Sequence, residues 1–378
     1  MNLKEDRVAT LPGDTGTVAA RKKGLARFEP SLVDDVVAFQ QAAYPHRRKD
    51  WIEPRWRWMY LDSANRLGVE PMVWLYHDGE RVVAHQGGIP VRLKIGSQET
   101  TTGWFVETMA LESARGRTVG PAVIMKAAED LPFNISLGQT PAMRELQYRL
   151  GWVKVADLQT AQLLLNPARV LRDKLKFGPA AFAAGAVFRI WDGTRRIGSK
   201  ASLAGFEVAE VERFDSGHDR LWERVQRDLT CAVVRDASHL NWKYVRQPGQ
   251  EFHRLELRRK GEPAAVVVLS IAEPQGEYRY RRGFLVEIVA PLSDRQILQA
   301  ALEAARGHAI RQACDAIVCH HIDKRLTTAL TAAGYLMREP TRFLLVRPGP
   351  AESEMRDLLL GEDNWFVTMG DSDIDRPW

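Results

Sequence analysis

Hydrophobic positions recur along this chain with two spacings, one helical and one alternating, and the switches between them mark its elements. Residues 32–43 place Leu32, Val36, Val37 and Phe39 on one broad stripe behind Ser31, a capping side chain, which predicts an opening amphipathic helix. Residues 71–77 and 81–95 carry runs of apolar, β-branched and aromatic side chains and read as strands joined at Asp78-Gly79, a strong hairpin signal. Residues 104–110 (WFVETMA) predict the next strand, 121–130 a short helix, 133–137 a strand, and 141–150 a helix closing at Leu150-Gly151-Trp152. A basic, glycine-bearing loop joins 110 to 121. Gly120 suits the N-cap and Pro121 the first helical position, where its fixed φ helps and its missing N–H matters least. A strand running through such a loop into a helix aims unpaired amides and the positive end of the helix dipole at one place, and Arg115 and Arg117 add charge there. Taken alone, an ordinary connection with two solvated arginines has the same appearance.

The second half repeats the first. Trp58-Met59-Tyr60 is echoed by Trp242-Lys243-Tyr244, Val106-Glu107 by Val286-Glu287 and Gly151-Trp152 by Gly334-Tyr335, at offsets of 184, 180 and 183 positions. Between these anchors 254–259 and 264–271 predict a hairpin around Lys260-Gly261, Ser293 with Gln296 a capping box for a helix to His308, and 316–322 a strand. Residues 287–294 contain no glycine and place Asp294 where the first half has its loop, so an anion is not expected there.

At 378 residues the chain is long enough for two domains. With 45% apolar and 27% charged residues it falls within the soluble globular range, and a net charge of +5 is small for nucleic acid but suits an anionic ligand. Three cysteines are too few for a disulfide framework, which makes a reduced, cytoplasmic setting the expectation. No signal peptide is read in 1–23. The apolar run 177–191 contains Arg189 and falls short of the roughly 20 residues a membrane span needs, so it is expected to be a buried or interfacial helix, with peripheral membrane contact left open. In 44–60 arginine and tryptophan interleave. This pattern can stack on bases or a sugar, but the reading adopted is a helix after Pro54 with its tryptophans in the core and its arginines wet. Residues 365–369 are expected to add an edge strand, and Asp371, Asp373 and Asp375 to form a solvated acidic tail rather than a cation site.

The segment Arg117-Thr118-Val119-Gly120-Pro121-Ala122, preceded by Arg115-Gly116, resembles the acyl-CoA pyrophosphate loop of the GNAT (GCN5-related N-acetyltransferase) superfamily, and the surrounding order of elements over 25–167 resembles a GNAT domain. Thr118 stands where the family often has Gly, and Pro121 removes one amide. The resemblance implies an α/β (α+β) fold of two GNAT-like domains in tandem, each a mixed, mostly antiparallel sheet flanked by helices: a tail at 1–24, the loop-bearing domain at 25–167, a helical linker at 168–204, a second domain at 205–349 and a tail at 350–378. The ending W…GDSD and the segment opening the second domain are similar to tandem GNAT-type proteins of bacterial exopolysaccharide biosynthesis and, distantly, to FemAB-type transferases.

The resemblance further implies acetyl-CoA or another acyl-CoA as donor, an amine of a small molecule or saccharide as acceptor, and no nucleic acid. Arg115, Gly116, Arg117, Thr118, Val119, Gly120 and Ala122 would hold the cofactor, and the amide of Met109 or Ala110 the thioester carbonyl. Glu107 would be the general base; the plainer alternative is a strand glutamate facing solvent or pairing with an arginine. Tyr148 is the candidate acid for the leaving thiolate, although Gln147 occupies the family's position and one helical residue is a turn of about 100°. His85 and His46 are alternative bases. Cys314, Cys319, His320 and His321 are read as structural, since neighbours on a strand face opposite ways, and Ser136, Ser238, His239 and Cys231 lack the context of a nucleophile. Two other functions stay open: transfer from aminoacyl-tRNA, and a non-catalytic module binding CoA or a glycan.

Overall fold

The computed structural model describes residues 22–116, 118–175 and 202–375. Arg117 and the run 177–191 lie outside the described residues. β1 (Gly24–Arg27) leads to α1 (Val33–Ala43), which buries Val36, Phe39 and Gln40. α2 (Lys49–Trp56) begins before Pro54 and carries that proline inside it, whereas the sequence placed a helix after it. Pro54 returns no N–H to the preceding turn, and the backbone then widens into a π-helical segment, Arg57–Asp62, before closing as α3 (Ser63–Leu67). Trp58, Met59 and Tyr60 in the widened turn are all buried.

Three antiparallel strands follow: β2 (Met72–His77), β3 (Val82–Ile95) and β4 (Gln98–Ala110). α4 (Val119–Asp130) starts two residues before the expected Pro121, with Thr118 as its N-cap. β5 (Asn134–Leu137), α5 (Pro141–Arg149) and β6 (Val153–Leu164) complete the first half. In the second half come β7 (Glu207–Glu210), β8 (Cys231–Val233), the helix Ala237–Tyr244, β9 (His253–Arg259) and β10 (Glu262–Ala272). The β9–β10 hairpin turns on Lys260 and Gly261, both at positive φ as a two-residue hairpin requires. β11 (Arg282–Val289) precedes the helix Arg295–Arg311, which is capped by Asp294 through the amides of Gln296 and Ile297, not by Ser293, whose hydroxyl donates to Asp228. β12 (Ala316–Ile322), β13 (Leu336–Arg347) and β14 (Val367–Thr368) close the set.

All strands among the described residues join one sheet, in the order β1-β2-β3-β4-β5-β13-β6-β12-β11-β10-β9-β7, with β8 on β3 and β14 on β12. The two halves exchange their last strands: β13 of the second lies between β5 and β6, and β6 of the first lies between β12 and β13. The repeat seen in the sequence is thus an approximate two-fold within one sheet. Near its centre Trp58 and Trp242 stack at 4.8 Å, and each indole N–H donates to the other's carbonyl, at 2.9 and 3.1 Å.

The C-terminal segment corrects the expectation of an edge strand and a wet acidic tail. Trp365, Phe366, Val367 and Met369 are buried, and β14 pairs with β12 inside the sheet. Asp371 and Asp375 are buried against Arg235 (2.6 Å) and Lys243 (3.1 Å), the pairing that carboxylates need once removed from water. No helix among the described residues is long and apolar enough to cross a membrane.

Candidate active site

β3 and β4 keep register from Ile95–Gln98 to Gly87–Val106 and then slip, so that His85 faces Met109. Glu107 lies in the slip with a φ of 51°, a conformation costing a non-glycine residue on the order of 1 kcal/mol and found disproportionately at functional positions. A β-bulge thus falls immediately before Met109 and Ala110. On its other edge β4 pairs with β5, in parallel, only at Trp104 and Phe105. β5 ends at Leu137, so beyond Phe105 the residues of β4 up to Ala110 have no pairing with it.

From Ala110 the chain passes Arg115 and Gly116, the latter at φ 74°, to Thr118 and α4. Helix geometry leaves the amides of Val119 and Gly120 without intrahelical partners, while Ala122 already donates to the Thr118 carbonyl. Nothing stands within 4 Å of where a Cβ would be added at Gly116 or Gly120, so the loop borders open space on that side. Helix starts of this kind can accept an anionic group, here with one amide fewer because of Pro121.

The Glu107 carboxylate is 3% exposed and accepts from four side chains. Arg47 and Arg55 each donate to Oε1 at 2.6 Å, Tyr60 to Oε2 at 3.2 Å and Gln40 to Oε2 at 3.3 Å. Burial alone would raise this carboxyl, but Arg55, Arg47 and His85 outweigh it and hold it down to about 2. Of the two sequence alternatives for Glu107, the pairing with arginine is the one present. A carboxylate so saturated takes up protons weakly. Arg55 is buried too, so the arginines of this segment are not all wet as expected.

Arg55 also faces Asp373, at 3.6 Å. Burial pushes the Asp373 carboxyl above its usual value; Arg55 pulls it back and the charge of Glu107 pushes it further up. Its side chain is 22% exposed, against 3% for Glu107. Beside Glu107 and Arg55, with Asp373 behind Arg55 and not on its wall, opens a cavity of about 460 Å³ bordered by Gln40, His46, Arg47, Arg48, Trp51 and Gln250, among others. His46 therefore does reach this site, whereas His85 is wholly buried, its Nδ1 3.0 Å from the Glu107 carbonyl.

Tyr148 is 38% exposed on α5, while Gln147 is buried and donates to the Ser136 hydroxyl on β5. The one-residue rotation has turned the tyrosine outward. In the second half, Tyr244 donates to Glu287 at 3.0 Å as Tyr60 does to Glu107, yet the C-terminal segment fills the space: the Gly370 amide donates to Val286, and Asp371 binds Arg235, which also pairs with Glu287. His320 and His321 bond separately to Thr160 and Thr327 and share no site. Arg47, Arg55, Tyr60 and Asp373 carried no assigned role in the sequence; only the repeated Trp-x-Tyr hinted at Tyr60.

No protein-family model matches the chain, and no curated protein matches its sequence. Solved structures do. A GCN5-related N-acetyltransferase from Anabaena variabilis is similar with a TM-score of 0.58 at 10% identity, covering 86% of this chain and 72% of that one. A conserved protein of Enterococcus faecalis reaches 0.59 at 10% identity over the same shares. The N-myristoyltransferase of Saccharomyces cerevisiae, solved with bound myristoyl-CoA, reaches 0.55 at 11% identity, covering 86% of this chain and 81% of that one. At these identities the likeness is one of fold: a GNAT-like α/β fold spanning most of the chain.

Proposed function

We propose that this chain is a cytoplasmic acyl-CoA-dependent N-acyltransferase, with acetyl-CoA as the first donor to test and a small-molecule or saccharide amine as acceptor. The observation that carries the reading is the bulged end of β4, unpaired with β5 beyond Phe105, running into a glycine loop and the start of α4. Arg115, Gly116, Thr118, Val119, Gly120 and Ala122, with Arg117, would hold the pyrophosphate there. Acyl-CoA supplies an activated thioester carbonyl, and the amide of Met109 or Ala110 would meet its oxygen as charge develops.

The acceptor amine is assigned to the cavity beside Glu107, whose volume suits a small molecule. His46, Arg47 and Arg48 on its wall, with the 40% exposed Trp51, favour an acceptor that bears a negative charge or a sugar ring. As the amine nitrogen bonds to the carbonyl carbon and the C–S bond breaks, its proton passes to Asp373, the more exposed and more basic carboxylate. Glu107 then serves to position Arg55 and Tyr60. The leaving thiolate takes its proton from water, since Tyr148 faces solvent.

The test begins with thermal unfolding. Acetyl-CoA at about 100 times its Kd stabilises by roughly 2.7 kcal/mol, which for this length raises Tm by about 3–4 °C. Gly120→Asp should abolish that rise. No rise with acetyl-CoA or with longer acyl-CoAs overturns the reading. CoA release with a panel of amines then tests the chemistry: Asp373→Asn should lower kcat by about 10²–10⁴ and remove the acid limb of the pH profile, with the acyl-CoA shift intact.

A further inference from the structure

Remote from that site, β7 is the last strand at one end of the sheet among the described residues and pairs antiparallel with β9, Glu210 opposite Leu255. Residues opposite one another share a face, and so do residues two apart on a strand. Glu210, Leu255 and His253 therefore project to the same side. The helix Arg295–Arg311 covers β9 and β10 there, and its buried positions Leu298, Ala301, Leu302, Ala305, His308 and Ala309 follow the helical period. His308 thus points from the helix at His253.

The ligand-capable atoms of Glu210, His253 and His308 all lie within 4.8 Å of one another. His253 Nδ1 is 3.2 Å from Glu210 Oε1, and the two imidazole rings stand 4.5 Å apart. His308 is 4% exposed, and its Nε2 is buried without a hydrogen-bond partner, a cost proteins rarely leave standing. Glu210 is about half exposed, which opens the cluster to solvent on one side.

We propose that Glu210, His253 and His308 form a binding site for a zinc-class divalent transition metal, which clamps β7 and β9 to the helix Arg295–Arg311. Two imidazoles and one carboxylate with a solvent-facing position suit Zn²⁺, Co²⁺ or Ni²⁺, whereas Mg²⁺ and Ca²⁺ require more oxygen ligands. Side-chain movements of about 1 Å would bring the donors to the roughly 2.0–2.2 Å bonds of zinc.

The experiment uses the full chain without a histidine tag, stripped with EDTA and then loaded with ZnCl₂. The expected result is one zinc per chain by elemental analysis after gel filtration, and a Tm raised by a few degrees by Zn²⁺ but not by Mg²⁺. Glu210→Gln, at a half-exposed position, should leave the metal-free Tm unchanged and weaken zinc binding at least tenfold; His253→Gln is the second variant should that fold be disturbed. Zinc content no higher than in a buffer blank, or equal in the wild type and both variants, overturns the proposal. Neither outcome depends on the acyltransferase reading.

Discussion

Replacing Glu107 with Gln keeps the side chain's size and removes its charge, leaving two guanidinium groups facing a neutral amide. The magnitude follows from two routes. The carboxyl is held at about 2 against an ordinary 4.5, and each unit corresponds to 1.36 kcal/mol, so ionised Glu107 contributes roughly 3 kcal/mol to folding. Removing one partner of a buried pair typically costs about 3–5 kcal/mol, and the lower end fits here because Arg47 is 23% exposed and can turn to water. Because the folded pKa is depressed, this contribution is complete above about 4.5 and is lost as pH falls toward about 2. Urea unfolding followed by tryptophan fluorescence should show Glu107→Gln less stable by roughly 3 kcal/mol at pH 7, with the gap narrowing steadily below pH 4.5. A gap under 1 kcal/mol at pH 7, or one that does not narrow in acid, would refute the account of Glu107 as a charge-paired anchor.

Two further outcomes test the frame around the site. A Cβ added at Gly87 would fall well inside contact distance of the Tyr60 hydroxyl, so Gly87→Ala should displace that tyrosine from Glu107, destabilise by about 1–3 kcal/mol and reduce acyl transfer; unchanged stability and turnover would contradict the packing. Trp58→Ala removes a buried ring that stacks on Trp242 and leaves the Trp242 carbonyl and indole partners disturbed, for an expected loss of about 3–5 kcal/mol in urea unfolding, with Trp242→Ala costing a similar amount because the two are related by the repeat.

Much of the local architecture was legible in the residues alone. Asp78-Gly79 and Lys260-Gly261 announce their hairpins because few residues accept the backbone angles of such turns. The paired anchors, Trp58 with Trp242 and Glu107 with Glu287, show the repeat because equivalent environments select equivalent side chains. The helix start of α4 was visible because Gly120 and Pro121 are backbone signals, although the helix begins two residues earlier than Pro121. What stayed hidden depends on contacts across the chain. Alternation tells which face of a strand is apolar but not which strand lies beside it, so the exchange of β6 and β13 could not be read. Asp371, Asp373 and Asp375 look like a solvated tail until tertiary packing places them against Arg235, Arg55 and Lys243. The composition of Glu107 is equally silent about its four donors, which come from α1, α2, the π-helical segment and the turn between helices. The sequence by itself determined the elements, the turns and the doubled plan; only the tertiary structure decided which charges are buried together, because a charge's cost and use are set by neighbours in space.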